Sequence, residues 1–113
     1  MHELGITKSI VDIAEKYALE QGAKRVLSVT VAVGELSGVI ADAVEFCFEV
    51  CSKGTLLEQS KLNIERIAGR GRCRECGAEA DMDTMTFSCP ACGSFTLEPL
   101  AGEELSIKEM EIE

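Results

Sequence analysis

Two matched cysteine pairs dominate the chemistry available to this 113-residue chain: Cys73-Arg74-Glu75-Cys76 followed by Gly77, and Cys89-Pro90-Ala91-Cys92 followed by Gly93. A Cys-x-x-Cys turn brings two sulfurs to the spacing of neighbouring zinc ligands, and two such turns supply the four thiolates of a closed tetrahedral site. The glycine after each pair suits a tight knuckle, where the backbone takes a positive φ that a Cβ would oppose. Twelve residues separate the pairs, enough for a short hairpin that turns the knuckles face to face. Zinc is expected ahead of iron, because the intervening loop is short and Phe87 is its only aromatic residue. Two disulfides or four free thiols are the alternatives. A closed site of this kind is structural, since it has no open position at which to activate water.

A different set of donors stands at the start of the chain. Met1-His2-Glu3 gathers a free amine, an imidazole and a carboxylate within three residues, and His2 is the only histidine. With the amides of His2 and Glu3 deprotonated, these groups can form the square-planar nitrogen set preferred by Ni(II) and Cu(II). A bulky second residue also disfavours removal of Met1, which preserves the register. On the residues alone, a solvated terminal histidine is the competing reading.

Nothing else resembles a catalytic constellation. A glycine-rich phosphate loop, a nucleophile elbow and a zinc-protease helix motif are all missing. Glu35 and Asp42 flank a strand–helix connection and read as a cap and a solvated neighbour. Cys47 and Cys51, four residues apart, share one helix face. They read as small hydrophobes on a packing stripe, with a soft-metal or electrophile site as the alternative.

These sites need a scaffold, and the composition bounds it. The hydrophobic fraction of 46% supports a core, which must be aliphatic because there are four Phe, one Tyr and no Trp. The formal charge is −9, and residues 69–102 carry three Arg against five acids, so nucleic acid is an unfavourable partner. No apolar run approaches a membrane span, and no secretory leader pattern opens the chain. A cytoplasmic protein with reduced thiols is expected, in which paired cysteines hold metal.

The periodicity predicts a first helix with Ile6, Ile10, Ile13, Ala14, Tyr17 and Ala18 on its apolar face and Gly22 as its stop. Alternation then predicts a strand from Arg25 to Val33, with Leu27, Val29, Val31 and Val33 facing one way. A second helix follows over Ala41–Ser52, packed through Ala43, Phe46, Cys47, Val50 and Cys51. Two further strands are expected at Leu62–Ile67 and Leu105–Ile112. In the last, Leu105 and Ile107 lie out of phase with Met110 and Ile112, which predicts a bulge near Lys108-Glu109. The fold class is therefore α+β: two helices on a three-stranded mixed sheet, with an inserted zinc-ribbon module. The expected division is a host formed by 1–68 plus 103–113 and a ribbon formed by 69–102. About thirty residues bury little apolar area, so the ribbon's stability should come largely from its metal.

In combination, an initial Met-His-Glu, a strand ending in Val-Gly-Glu-Leu-Ser (33–37), a helix containing Phe46-Cys47-Phe48-Glu49, and the two cysteine knuckles resemble the HypA/HybF family of hydrogenase maturation factors. The likeness covers essentially the whole chain. It implies a non-enzymatic nickel metallochaperone that delivers Ni(II) to the large subunit of a nickel–iron hydrogenase, in partnership with a HypB-type GTPase. It further implies that His2, with Glu3 and the backbone donors of Met1-His2-Glu3, binds nickel, and that Cys73, Cys76, Cys89 and Cys92 hold structural zinc. Some members add a carboxylate from the start of the second helix. The corresponding position here falls near Ile40, with Asp42 two residues on. Relatives with extra histidines beside the ribbon cysteines differ from this chain, whose one histidine is terminal. A zinc-ribbon interaction adaptor without nickel function is the alternative, and an enzyme using its cysteines for redox exchange is a third class.

Overall fold

The computed structural model describes residues 3–113. Its elements run α1 (Glu3–Glu20), β1 (Val26–Gly34), α2 (Ala41–Ser52), β2 (Lys61–Ile67), β3 (Arg70–Cys73), β4 (Glu79–Asp81), β5 (Leu97–Ala101) and β6 (Leu105–Ile112). Two separate three-stranded sheets result, ordered β2-β1-β6 and β4-β3-β5. The radius of gyration is 17.3 Å, against about 13 Å for a compact domain of this length. The molecule is correspondingly long and narrow, 55 × 24 × 16 Å.

The first sheet is mixed, as expected. β1 is its centre, parallel to β2 and antiparallel to β6. The β-branched residues of β1 meet apolar partners on both sides: Val29 lies between Leu62 and Met110, and Val31 between Ile64 and Ile107. The residues in between carry polar neighbours, with Thr30 flanked by Asn63 and Glu109. Period-2 alternation thus gives the sheet one apolar face, and the two helices cover it. Their buried residues join Val29, Val31 and Val33 in one core.

The bulge in β6 falls where the phase slip demands. Thr30 pairs with Glu109 and Val31 with Ile107, leaving Lys108 as the extra residue. Its ammonium is spent on Glu65 of β2, at 2.7 Å. A second irregularity was not anticipated. Val26 pairs with Ile112 but Ser28 with Glu111, so Leu27 is also an extra residue. That slip corrects the expected face of β1: Leu27 turns outward while Val26 is buried.

Both helices are rotated from the expected faces. In α1 the buried stripe is Thr7, Ile10, Val11, Ala14 and Ala18, whereas Ile13 and Tyr17 are 61% and 51% exposed. These two overhang β6, the edge strand of its sheet among the described residues. In α2 the core positions are Ala41, Val44, Phe48 and Ser52, not Phe46, which is 82% exposed, or Val50. Apolar residues lie on every side of α2, so periodicity alone cannot select the buried face. Leu57, in the loop after α2, is fully buried although no regular pattern marks it.

Between the sheets, Val33-Gly34-Glu35-Leu36-Ser37 forms a clasp. The Leu36 N–H donates to the Gly102 carbonyl at 2.6 Å, and the Gly69 N–H donates to the Glu35 carboxylate at 3.1 Å. The Leu36 side chain lies against Gly69 and Gly102, the two residues where the chain leaves and re-enters the first sheet. The backbones approach so closely that a Cβ on Gly34 would stand 2.0 Å from the Gly102 carbonyl oxygen.

Candidate metal centre

The second sheet positions the four-cysteine cluster. β3 delivers Cys73 at its end, and β5 pairs with it, setting Leu97 opposite Cys73. Each Cys-x-x-Cys then closes a knuckle through the same two backbone bonds. Gly77 N–H donates to Cys73 O at 2.9 Å, and Gly93 N–H donates to Cys89 O at 2.8 Å. Cys73 N–H donates to Ala78 O, and Cys89 N–H donates to Ser94 O. Gly77 and Gly93 have φ of 74° and 78°, the left-handed values that make glycine the residue of choice there. The knuckles are therefore near copies of one another, as the paired motifs predicted.

The sulfurs converge. All four Sγ atoms lie within 4.8 Å of one another, and the Cys73–Cys92 and Cys76–Cys89 separations are both 3.6 Å. A tetrahedral zinc with bonds near 2.3 Å requires sulfur–sulfur edges of about 3.8 Å, so the cluster fits that ion. Cys73 and Cys89 are buried, while Cys76 and Cys92 are at the surface. The N–H groups of Cys76 and Glu75, with the Thr96 hydroxyl, hold the Cys73 thiol down to about 6. At Cys92 the Ser94 amide favours the thiolate. It is outweighed by Cys73, burial, Cys76 and Cys89, which push the thiol up to about 12. Four thiolates cannot share this volume without a cation to balance them, and a dication supplies that balance.

The surrounding surface is electrostatically quiet. Arg70 pairs with Asp81 at 2.7 Å, Arg72 with Glu79 at 3.1 Å, and Arg74 with Glu98. Exposed pairs like these contribute little to stability. They do commit every arginine of the ribbon to an acid.

The family model described as "Hydrogenase/urease nickel incorporation, metallochaperone, hypA" matches residues 1–112. The chain belongs to the HypA family. It is 51% identical over 113 residues to the hydrogenase maturation factor HypA of Geobacter metallireducens, covering all of both chains. It is 50% identical to that of a Nostoc species, covering all of this chain and 96% of the other. Among solved structures, the solution structure of the nickel metallochaperone HypA from Helicobacter pylori matches with a TM-score of 0.69 at 22% identity, covering 99% of this chain and 97% of that one. A second HypA solution structure matches with a TM-score of 0.70 at 21% identity, covering 100% and 97%. At those identities the likeness shows the shared fold. Family membership makes the chain a nickel metallochaperone of hydrogenase maturation, with nickel as cargo and a four-cysteine cluster suited to zinc.

Met1 and His2 lie outside the described residues. Glu3 opens α1, and its carboxylate accepts a hydrogen bond from the Ile40 N–H at 3.4 Å. Ile40 is the N-cap of α2 and has no side-chain capping bond of its own. An apolar residue just before a helix is a legible signal that capping must come from elsewhere, although it does not say from where. Asp42 is turned to β2, where it pairs with Arg66 at 2.5 Å. The structure thus brings Glu3 to position 40 and commits Asp42 to another partner. Cys47 and Cys51 are half-buried, at the rim of the core stripe. Among the described residues, no helix is long and apolar enough to cross a membrane.

Proposed function

We propose that nickel is held at the chain terminus by the His2 imidazole, the terminal amine and the amide nitrogens of Met1-His2-Glu3, with the Glu3 carboxylate beside them. Cys73, Cys76, Cys89 and Cys92 hold a permanent zinc. The observation that supports this division is the contrast between the donor sets. Four soft thiolates converge in a closed cage formed by backbone knuckles. The terminal donors, hard and borderline in character, belong to a segment at the end of the chain. A closed thiolate site retains its ion, while a terminal nitrogen set releases one by ligand exchange.

The molecule works as two units, a host of 1–68 plus 103–113 and a ribbon of 69–102. The host carries the cargo, and the ribbon offers a second surface for docking. Its partners are a HypB-type GTPase and the large subunit of a nickel–iron hydrogenase, both met in the cytoplasm. A partner that competes for His2 withdraws the nickel without disturbing the zinc. Complementation tests this. In cells lacking their own chaperone, the full chain should restore nickel-dependent hydrogenase activity and His2→Gln should not, while both accumulate equally. Equal restoration by the two chains contradicts the terminal site.

A further inference from the structure

Cys47 and Cys51 are the two cysteines that the zinc cluster does not use. They lie one helical turn apart on α2, both half-buried, along the edge of the stripe that faces α1. The Cys51 thiol approaches the Leu4 carbonyl at 3.8 Å, so Cys51 sits against the first turn of α1. The setting is neither fully apolar nor freely solvated. Burial and the neighbouring Cys47 both push the Cys51 thiol up, Lys8 opposes them, and Asp12 adds a smaller upward push. Lys8 follows Leu4 by one turn of α1 and Cys47 precedes Cys51 by one turn of α2, so both lie on the Cys51 side of their helices. The Lys8 ammonium is itself loosely paired with Asp12, at 3.6 Å on an exposed surface.

Helix geometry decides what these two sulfurs can do. Residues four apart on an α-helix have Cβ atoms about 5–6 Å apart, whereas a disulfide needs about 3.5–4.5 Å. A direct S–S bond would therefore distort the turn. Insertion of one atom between the sulfurs removes the mismatch. The sulfur–sulfur span of a two-coordinate soft ion lies within the reach of two cysteines at this spacing, and thiolates select Cu(I). We propose that Cys47 and Cys51 form a second metal site, distinct from the zinc and terminal nickel sites, that binds one Cu(I) as a bis-thiolate complex. Binding breaks two S–H bonds, forms two Cu–S bonds and releases two protons to solvent, with no change in copper's oxidation state. The complex carries one net negative charge, which Lys8 partly offsets.

The test is anaerobic titration of the zinc-loaded, tag-free full chain with Cu(I) against a chromogenic Cu(I) chelator, with released zinc measured in the same samples. The expected result is one copper retained per chain with zinc still bound. Cys47→Ser and Cys51→Ser should each lose that copper while keeping their zinc content and helicity. Lys8→Gln should weaken it. Copper uptake only in step with zinc release, unchanged in Cys47→Ser and Cys51→Ser, would overturn the proposal. So would a wild-type chain that takes no copper from the chelator. If Cys51→Ser fails to fold, Cys47→Ser alone decides the matter, because Cys47 lies outside the core cluster.

Discussion

The Glu3 carboxylate and the Ile40 N–H, 37 positions apart in the chain, meet at 3.4 Å and tie the start of α1 to the start of α2. The contact places a negative charge at the positive end of the α2 dipole, where it also satisfies a backbone donor with no local partner. It sets the first described residue of the terminal motif against a helix end.

Glu3→Ala should destabilise the fold modestly, by about 0.5 kcal/mol, at the low end of capping effects because the bond is long. The melting temperature should fall by about 2–4 °C. Nickel affinity should fall in the same variant while zinc content stays at the wild-type value. Calorimetry with metal analysis checks this, and an unchanged melting temperature would remove Glu3 from the capping role.

The clasp between the sheets should be far less tolerant. Gly34→Ala sets a Cβ 2.0 Å from the Gly102 carbonyl oxygen, and Gly69→Ala sets one 1.9 Å from the Met82 carbonyl oxygen. Each obstacle is backbone and cannot swing aside, so a loss of about 1–3 kcal/mol or more is expected. Gly5 is the control. Nothing lies within 4 Å of its added Cβ, and it sits inside α1, so Gly5→Ala should stabilise by up to about 1 kcal/mol. Denaturant unfolding of the three variants should give this order.

Zinc removal should act locally. Residues 69–102 bury little apolar surface, so their order depends on the ion. A strong chelator should collapse the amide resonances of the ribbon towards random-coil positions and leave those of β1, α1 and α2 largely in place. Cooperative loss of all resonances would show that the two sheets form one folding unit.

Acid should release the zinc in a defined direction. Cys73 is held at about 6 against an ordinary value of 9.0. For this depressed group, the folded ribbon gains stability that is complete above the ordinary value and lost as pH falls through about 6. Bound metal favours the thiolate at all four cysteines, so zinc should remain in place at neutral pH and leave as the pH falls. A zinc-responsive dye during slow acidification reads the midpoint, and release at neutral pH would contradict the assignment.

Much of this was legible in the residues, for reasons that differ from element to element. The knuckles follow from Cys-x-x-Cys-Gly because a local motif carries its own geometry. The bulge at Lys108 was visible because Ile107 and Met110 must both reach one face. By contrast, α2 presents Ala, Val, Phe and Cys around its circumference, so only tertiary packing could choose Val44 and Phe48 over Phe46 and Val50. Leu27 was misplaced because a bulge at a strand's start leaves no mark in the alternation around it. The clasp was visible as a string of letters at 33–37, but its reason was not. Leu36 and Glu35 act on Gly69 and Gly102, which lie 33 or more positions away.

The central claim is that one chain holds two ions by two different donor sets, and metal stoichiometry tests it most directly. Tag-free protein with Met1 confirmed by mass is loaded with zinc and titrated with Ni(II), alongside His2→Gln, a change that keeps a bulky second residue. The account predicts one zinc and one nickel per wild-type chain, and one zinc with no tight nickel in the variant. Equal nickel binding by both chains, or loss of zinc together with nickel in His2→Gln, would contradict it.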